Sequence, residues 1–143
     1  MSLPVGDHLA HRALESLLRA QSSLRRALTA GLEREGLSGP GFEVLVILAT
    51  AGGELELRTL RRRLGTSKAN LTEIVSTLAA RGLVERRRLV RDRRAAAVLL
   101  TAAGAATVQR VFPEHTQRVA SAFAALDESE KLSLARICRK LAA

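Results

Sequence analysis

Between Leu60 and Leu78 the chain reads LRRRLGTSKANLTEIVSTL. Leu60 and Leu64 stand four residues apart around three arginines, as on the apolar face of one short helix, and Gly65 supplies a stop. Thr66-Ser67 follows at once, and Ser67 is placed to cap a second helix whose apolar positions Leu71, Ile74, Val75 and Leu78 recur at three and four residues. A helix, a glycine turn and a capped helix are the sequence form of a helix-turn-helix. With the leucine face buried, Ser67, Lys68, Asn70, Thr72, Glu73 and Ser76 lie at the start or on the outer side of the second helix. A recognition helix reads base edges from that end, where free N–H groups and the helix dipole also favour phosphate. Arg61 and Arg62, on the preceding helix, are candidates for contact with the DNA backbone.

The flanks fit the same unit. Gly52-Gly53 ends an apolar helix, Leu55-Glu56-Leu57 alternates as a minimal strand, and the first helix of the pair is expected from Leu60. After Gly82, Leu83 to Arg86 and Ala95 to Thr101 are expected as two short strands around a basic tip, a wing. Arg86, Arg87, Arg88, Arg91, Arg93 and Arg94 crowd that tip. Guanidinium is planar and weakly hydrated, so it enters a narrow, electronegative minor groove at lower desolvation cost than lysine. Asp92 stands among these arginines, where it would repel phosphate unless it orients a neighbour. The candidate wing residues are therefore Arg86, Arg88, Arg91, Asp92, Arg93 and Arg94.

Charge supports a nucleic-acid partner. The net charge is +9, and from Glu54 to Arg94 twelve Lys and Arg stand against five acids. This excess follows folded elements and not an amphipathic surface helix, so double-stranded DNA is favoured over a membrane.

The two ends of the chain carry narrow apolar seams. Leu14, Leu17, Gln21, Leu24, Leu28 and Gly31/Leu32 trace one on a long helix that Gly36 ends, and Ser38 and Pro40 then open the buried helix GFEVLVILAT. Ala105, Val108, Phe112, His115, Val119, Phe123 and Leu126 trace another through Pro113, which should bend its helix. Asp127-Glu128-Ser129-Glu130 reads as a capping box opening a last helix with Leu134, Ile137, Cys138 and Leu141 on one face. One small core cannot use all these faces, so a second copy of the chain is expected to cover them.

Other chemistry finds little support. Cys138 alone allows no internal disulfide, and its place on an apolar face suggests an inert buried thiol. His8 and His11 stand three apart with no acid or thiol adjacent, so no metal and no cofactor is expected. No phosphate-binding glycine loop, nucleophile elbow or base–nucleophile pairing is present, and an enzyme is not expected. The opening MSLPVGDH has no charged stretch followed by an apolar run, and the most apolar segment, Phe42 to Ala51, is far below the ~20 residues that span a bilayer, so the expected location is cytoplasmic.

Asp92-x-Arg94, five residues, Leu100-Thr101, two residues and Gly104 resemble the wing signature of the MarR family of winged-helix regulators. The resemblance extends over LSGPGFEVLVILA and LRRRLGTSKANLTEIVSTLAARGLVERR, and more loosely to the C-terminus. It implies a mainly α fold with a small β-wing, one domain over 1–143, in which 38–101 form the winged helix-turn-helix and 1–35 and 102–143 the dimerisation helices. It implies a homodimeric transcription regulator, usually a repressor, on a pseudo-palindromic operator, with Arg94 in the minor groove and Asp92 holding it. It also implies a small effector, here an aromatic compound, where the dimerisation helices meet the winged helix, at a junction expected to be mostly aliphatic. Two positions depart from the family. Leu89-Val90 replaces a frequent Asp-Pro, and Glu73 replaces a frequent Arg, free to accept from a cytosine amine or to bridge to a basic neighbour. A non-specific architectural protein, or an adaptor of the same shape, is the alternative reading.

Overall fold

The computed structural model describes the backbone of every residue except Arg91, and the side chains of all except Arg91, Asp92, Arg93 and Arg94. In chain order the elements are α1 (His8–Glu33), α2 (Gly39–Thr50), β1 (Glu54–Glu56), α3 (Leu57–Leu64), α4 (Lys68–Ala80), β2 (Val84–Leu89), β3 (Asp92–Leu100), α5 (Ala102–Ala122) and α6 (Glu128–Ala142).

Short polar side chains set most of the helix starts. Asp7, Ser38, Ser67, Thr101 and Asp127 each accept a hydrogen bond from the main-chain N–H three residues on, which satisfies a donor the helix itself leaves open. At α6 the box is reciprocal, with Glu130 accepting from the Asp127 N–H at 3.0 Å. Gly65 ends α3 with φ +63°, the left-handed conformation for which glycine has no steric penalty.

The apolar helix α2 is central and packs on α1, α3, α4, α5, β1 and β3. Phe42, Val44, Leu45 and Leu48 of α2 join Leu60, Leu71, Val75, Val84 and Val98 in one core. Each large side chain so buried contributes about 1.5–3 kcal/mol of transfer free energy. The sheet is antiparallel in the order β1-β3-β2, with Leu55 opposite Val98 and Arg86 also opposite Val98.

Several boundaries differ from the sequence expectation. Leu57 is not in β1. It opens α3, where Leu57, Leu60 and Leu64 form one helical face, a repeat that outweighs a three-residue alternation. The strands of the wing are longer than expected. Arg86, Arg87 and Arg88 lie within β2, opposite Val98, Ala97 and Ala96, and not at the tip. A strand tolerates charge wherever its faces meet solvent, so the ladder with β3 decides its length. Helix α5, by contrast, continues through Pro113 as the seam across it predicts.

Helix α1 buries only Leu32, and α6 buries nothing. Leu9, Leu14, Leu17, Leu18, Leu132, Leu134, Ile137 and Leu141 are exposed. Cys138 is exposed as well, on a helix that buries no side chain within the described residues, and this corrects the expectation of a buried thiol.

Candidate nucleic-acid interface

At the turn between α3 and α4, Ser67 Oγ accepts from the Asn70 N–H at 3.1 Å, and Asn70 Nδ2 donates to Thr66 Oγ1 at 2.7 Å. The Asn70 amide is therefore held in place and keeps its oxygen and one N–H for an outside partner. Ser67, Lys68, Asn70, Glu73 and Ser76 are exposed, as their placement on the outer side of α4 requires. Thr72 is half-buried and its hydroxyl donates to the Lys68 carbonyl at 2.9 Å, so it offers mainly its methyl group. Glu73 makes no ion pair among the described residues.

The expected interface residues separate onto two sides of α4. Lys68 and Thr72 face a cleft of about 340 Å³ between α3, α4 and the base of the wing, together with Arg58, Arg61 and Arg86. Among the described residues four cations, Arg58, Arg61, Lys68 and Arg86, meet one carboxylate there, that of Glu56. Asn70 and Glu73 line a groove on the other side, beside Ser38 and Pro40 at the start of α2. Arg62 is exposed but lies outside the cleft, whereas Arg58, which sequence reasoning missed, is inside it. Its spacing of three from Arg61 on α3 was the available signal.

Strand alternation divides the arginines of β2. Arg87 points to the side opposite Arg86 and pairs with Glu54 of β1 at 2.5 Å, while Arg86 remains in the cleft. Arg88 is exposed and shares the strand face of Arg86. Arg91 and the side chains of Asp92, Arg93 and Arg94 lie outside the described residues, so the wing candidates Arg91, Asp92, Arg93 and Arg94 carry no described contacts.

A second site lies where α1 meets α5. A cavity of about 30 Å³ is lined there by Leu28, Glu35, Arg110, Glu114, His115 and Arg118, among others. The expected aliphatic lining is thus corrected: Leu28, Leu32 and Val111 are present, but polar and charged groups from α5 and from the turn after α1 outnumber them. Arg118 donates to Glu114 at 2.7 Å, and this hydrogen bond and charge hold the Glu114 carboxyl below its usual range. Burial, and then the charge of Arg118, lower the pKa of His115, whose ring meets Phe42 edge-on with centroids 4.9 Å apart. His115 Nδ1 and Arg118 Nε are buried without a described partner. Gly31 makes this possible, since a Cβ there would stand 2.6 Å from Arg118 Nε.

No group of three or more His, Cys, Asp or Glu converges among the described residues, and His8 and His11 lie exposed in the first turn of α1. No described helix is long and apolar enough to cross a membrane.

The segment holding both sides of α4, residues 35–95, matches the family model described as MarR family. Over 125 residues the chain is 30% identical to the transcriptional repressor MprA of Escherichia coli K12, an alignment that covers 87% of this chain and 71% of that protein. The chain belongs to the MarR family. It is accordingly a DNA-binding transcriptional regulator with a winged helix. Among solved MarR-family structures it is similar to Sco3205 of Streptomyces coelicolor, determined in complex with DNA, with TM-score 0.88 and 25% identity over 99% of this chain and 90% of that one. It shares its fold with AbsC of the same organism, TM-score 0.87 at 24% identity, over 98% and 96% of the two chains. The cleft with Arg58, Arg61, Lys68 and Arg86 adjoins the N-terminal turn of α4, the second helix of the helix-turn-helix.

Proposed function

We propose that the chain acts as a homodimeric repressor that reads a pseudo-palindromic operator and is released by a small anionic effector. The observation that carries the DNA part is the juxtaposition of an exposed, hydrogen-bonded α4 start with the four-cation cleft beside it. In this reading Ser67, Lys68, Asn70, Thr72, Glu73 and Ser76 meet the major groove. Arg61, Arg62 and the newly found Arg58 meet the backbone. Arg86, Arg88, Arg91, Asp92, Arg93 and Arg94 form the wing contact, with Arg94 in the minor groove. Residues 38–101 are the DNA-binding unit, and 1–35 and 102–143 carry dimerisation through the exposed apolar faces of α1 and α6.

The effector part of the proposal places an aromatic acid at the α1–α5 junction. PcaV of Streptomyces coelicolor, 25% identical with TM-score 0.78, has been solved in complex with its natural ligand. In the present chain the unpartnered Arg118 Nε and His115 Nδ1 offer polar contacts, and Phe42 offers an aromatic edge. A cavity of about 30 Å³ holds water and not a ring, so the acid enters only by displacing Arg118 from Gly31.

Selection of duplexes from a random pool tests the DNA reading. Enrichment of an inverted repeat, bound far more tightly than scrambled duplex, is expected. Equal binding of all sequences would favour an architectural role instead. Adding salicylate to the selected complex then tests the effector reading, with release expected for the acid and none for its uncharged amide.

A further inference from the structure

Arg81 follows the last residue of α4, at the end opposite to the one that reads bases. Its guanidinium reaches back to the turn that closes α1. Nη1 donates to the Gly36 carbonyl at 2.6 Å and Nη2 to the Glu35 carbonyl at 3.0 Å. Two bonds from one planar fork to consecutive carbonyls fix direction as well as distance, which a single ammonium cannot do. Gly36 has φ +68°, a left-handed conformation that glycine adopts without steric penalty, so the turn that presents these two carbonyls to the fork favours glycine at this position.

Glu35 has a second attachment. Its carboxylate accepts from Arg110 of α5 at 2.8 Å, on the wall of the junction cavity. One residue thus has its main-chain oxygen tied to the recognition helix and its side chain tied to α5. The two ties differ in kind. The Glu35–Arg110 pair is solvent-accessible, with the two side chains 36% and 60% exposed, and such a pair exchanges readily for another anion. The Arg81 tie is to main chain and moves with the turn.

We propose that Arg81 is a positioning residue for DNA recognition, and that the run Arg110–Glu35–Arg81 carries the state of the α1–α5 junction to the recognition helix. An anion that takes Arg110 frees the Glu35 side chain, the turn shifts, and the Arg81 fork obliges the end of α4 to follow. The inference rests on the DNA-binding role of the family and holds whatever the effector is.

A double-mutant cycle tests it, with the full-length protein and a duplex selected by the wild type. Arg81→Lys keeps the charge but cannot span both carbonyls. Glu35→Gln is expected to change the dissociation constant about three- to tenfold in the wild-type background and by less than about 1.5-fold in the Arg81→Lys background. Equal changes in both backgrounds, or none in either, overturn the proposal. Hydrogen exchange on free protein provides a readout that needs no DNA. Glu35→Gln should speed exchange in the last turn of α4 only when Arg81 is present, and an equal response in both backgrounds overturns the relay. If the wild type enriches no duplex, the DNA-binding reading fails separately, and the exchange experiment still decides the relay.

Discussion

Gly104 stands in the first turn of α5, where a Cβ would overlap the carbonyl of Leu83, and its N–H is bonded at 3.0 Å to the capping hydroxyl of Thr101. That hydroxyl in turn donates to the Gly82 carbonyl at 2.6 Å, so α5, α4 and the wing meet at three small groups. Gly104→Ala raises helix propensity yet should destabilise the chain by about 1–3 kcal/mol in chemical denaturation, because backbone on both sides has to move. A gain in stability would show that the contact gives way easily. His115 sets a pH dependence. Its folded pKa lies below the usual 6.5, so as pH falls the unfolded chain takes up the proton first. Stability is therefore full above about pH 6.5 and declines below it, toward the folded pKa. Thermal melts of His115→Gln between about pH 7 and 5 should decline less than wild type, and parallel curves would assign the effect elsewhere. Asn70→Ala should weaken the selected operator by about 1–3 kcal/mol and random DNA hardly at all, as titrations of both would show. Equal losses would make Asn70 a contact for positioning alone.

At the scale of elements, neighbouring arginines of β2 differ because alternation sends them to opposite sides of the wing. Arg86→Ala should reduce the slope of log affinity against log salt by about one unit, while Arg87→Ala, already matched to Glu54, should reduce it by clearly less. Equal slopes for the two variants would mean that the ion pair does not survive DNA binding. The elements that could be read from residues are those whose cause is local. Ser38, Ser67 and Asp127 bond to N–H groups three residues away, and Gly65 turns the chain at its own position. The expected recognition helix follows from such causes, and so does its exposed face. What could not be read depends on partners far along the chain. Arg81 and Gly36 are 45 residues apart, Arg110 and Glu35 75, and no spacing rule announces either meeting. The polar junction escaped the reading for that reason. The length of β2 escaped it because β3, and not the charge of β2, sets the ladder.

For the whole molecule, the exposed leucines of α1 and α6 with Ile137 define what a second copy would cover. The double substitution Leu134→Glu and Ile137→Glu should leave the helical content and the thermal transition of the winged region in place. In sedimentation it should shift the species at micromolar concentration from dimer to monomer. A wild-type monomer that binds DNA undiminished would end the dimer proposal.

Helix α5 runs without interruption away from the end of the wing, 21 residues from Ala102 to Ala122. At about 1.5 Å per residue it is a rod of about 31 Å. A swing of about 5° at one end moves the other by about 3 Å, close to the ~3.4 Å step between successive base pairs. In the proposed dimer such a rod converts a tilt too small to disturb core packing into a whole base pair of misfit between the two reading heads. Operators whose half-sites differ by one base pair in spacing would then be told apart by leverage, without any contact to the bases between them.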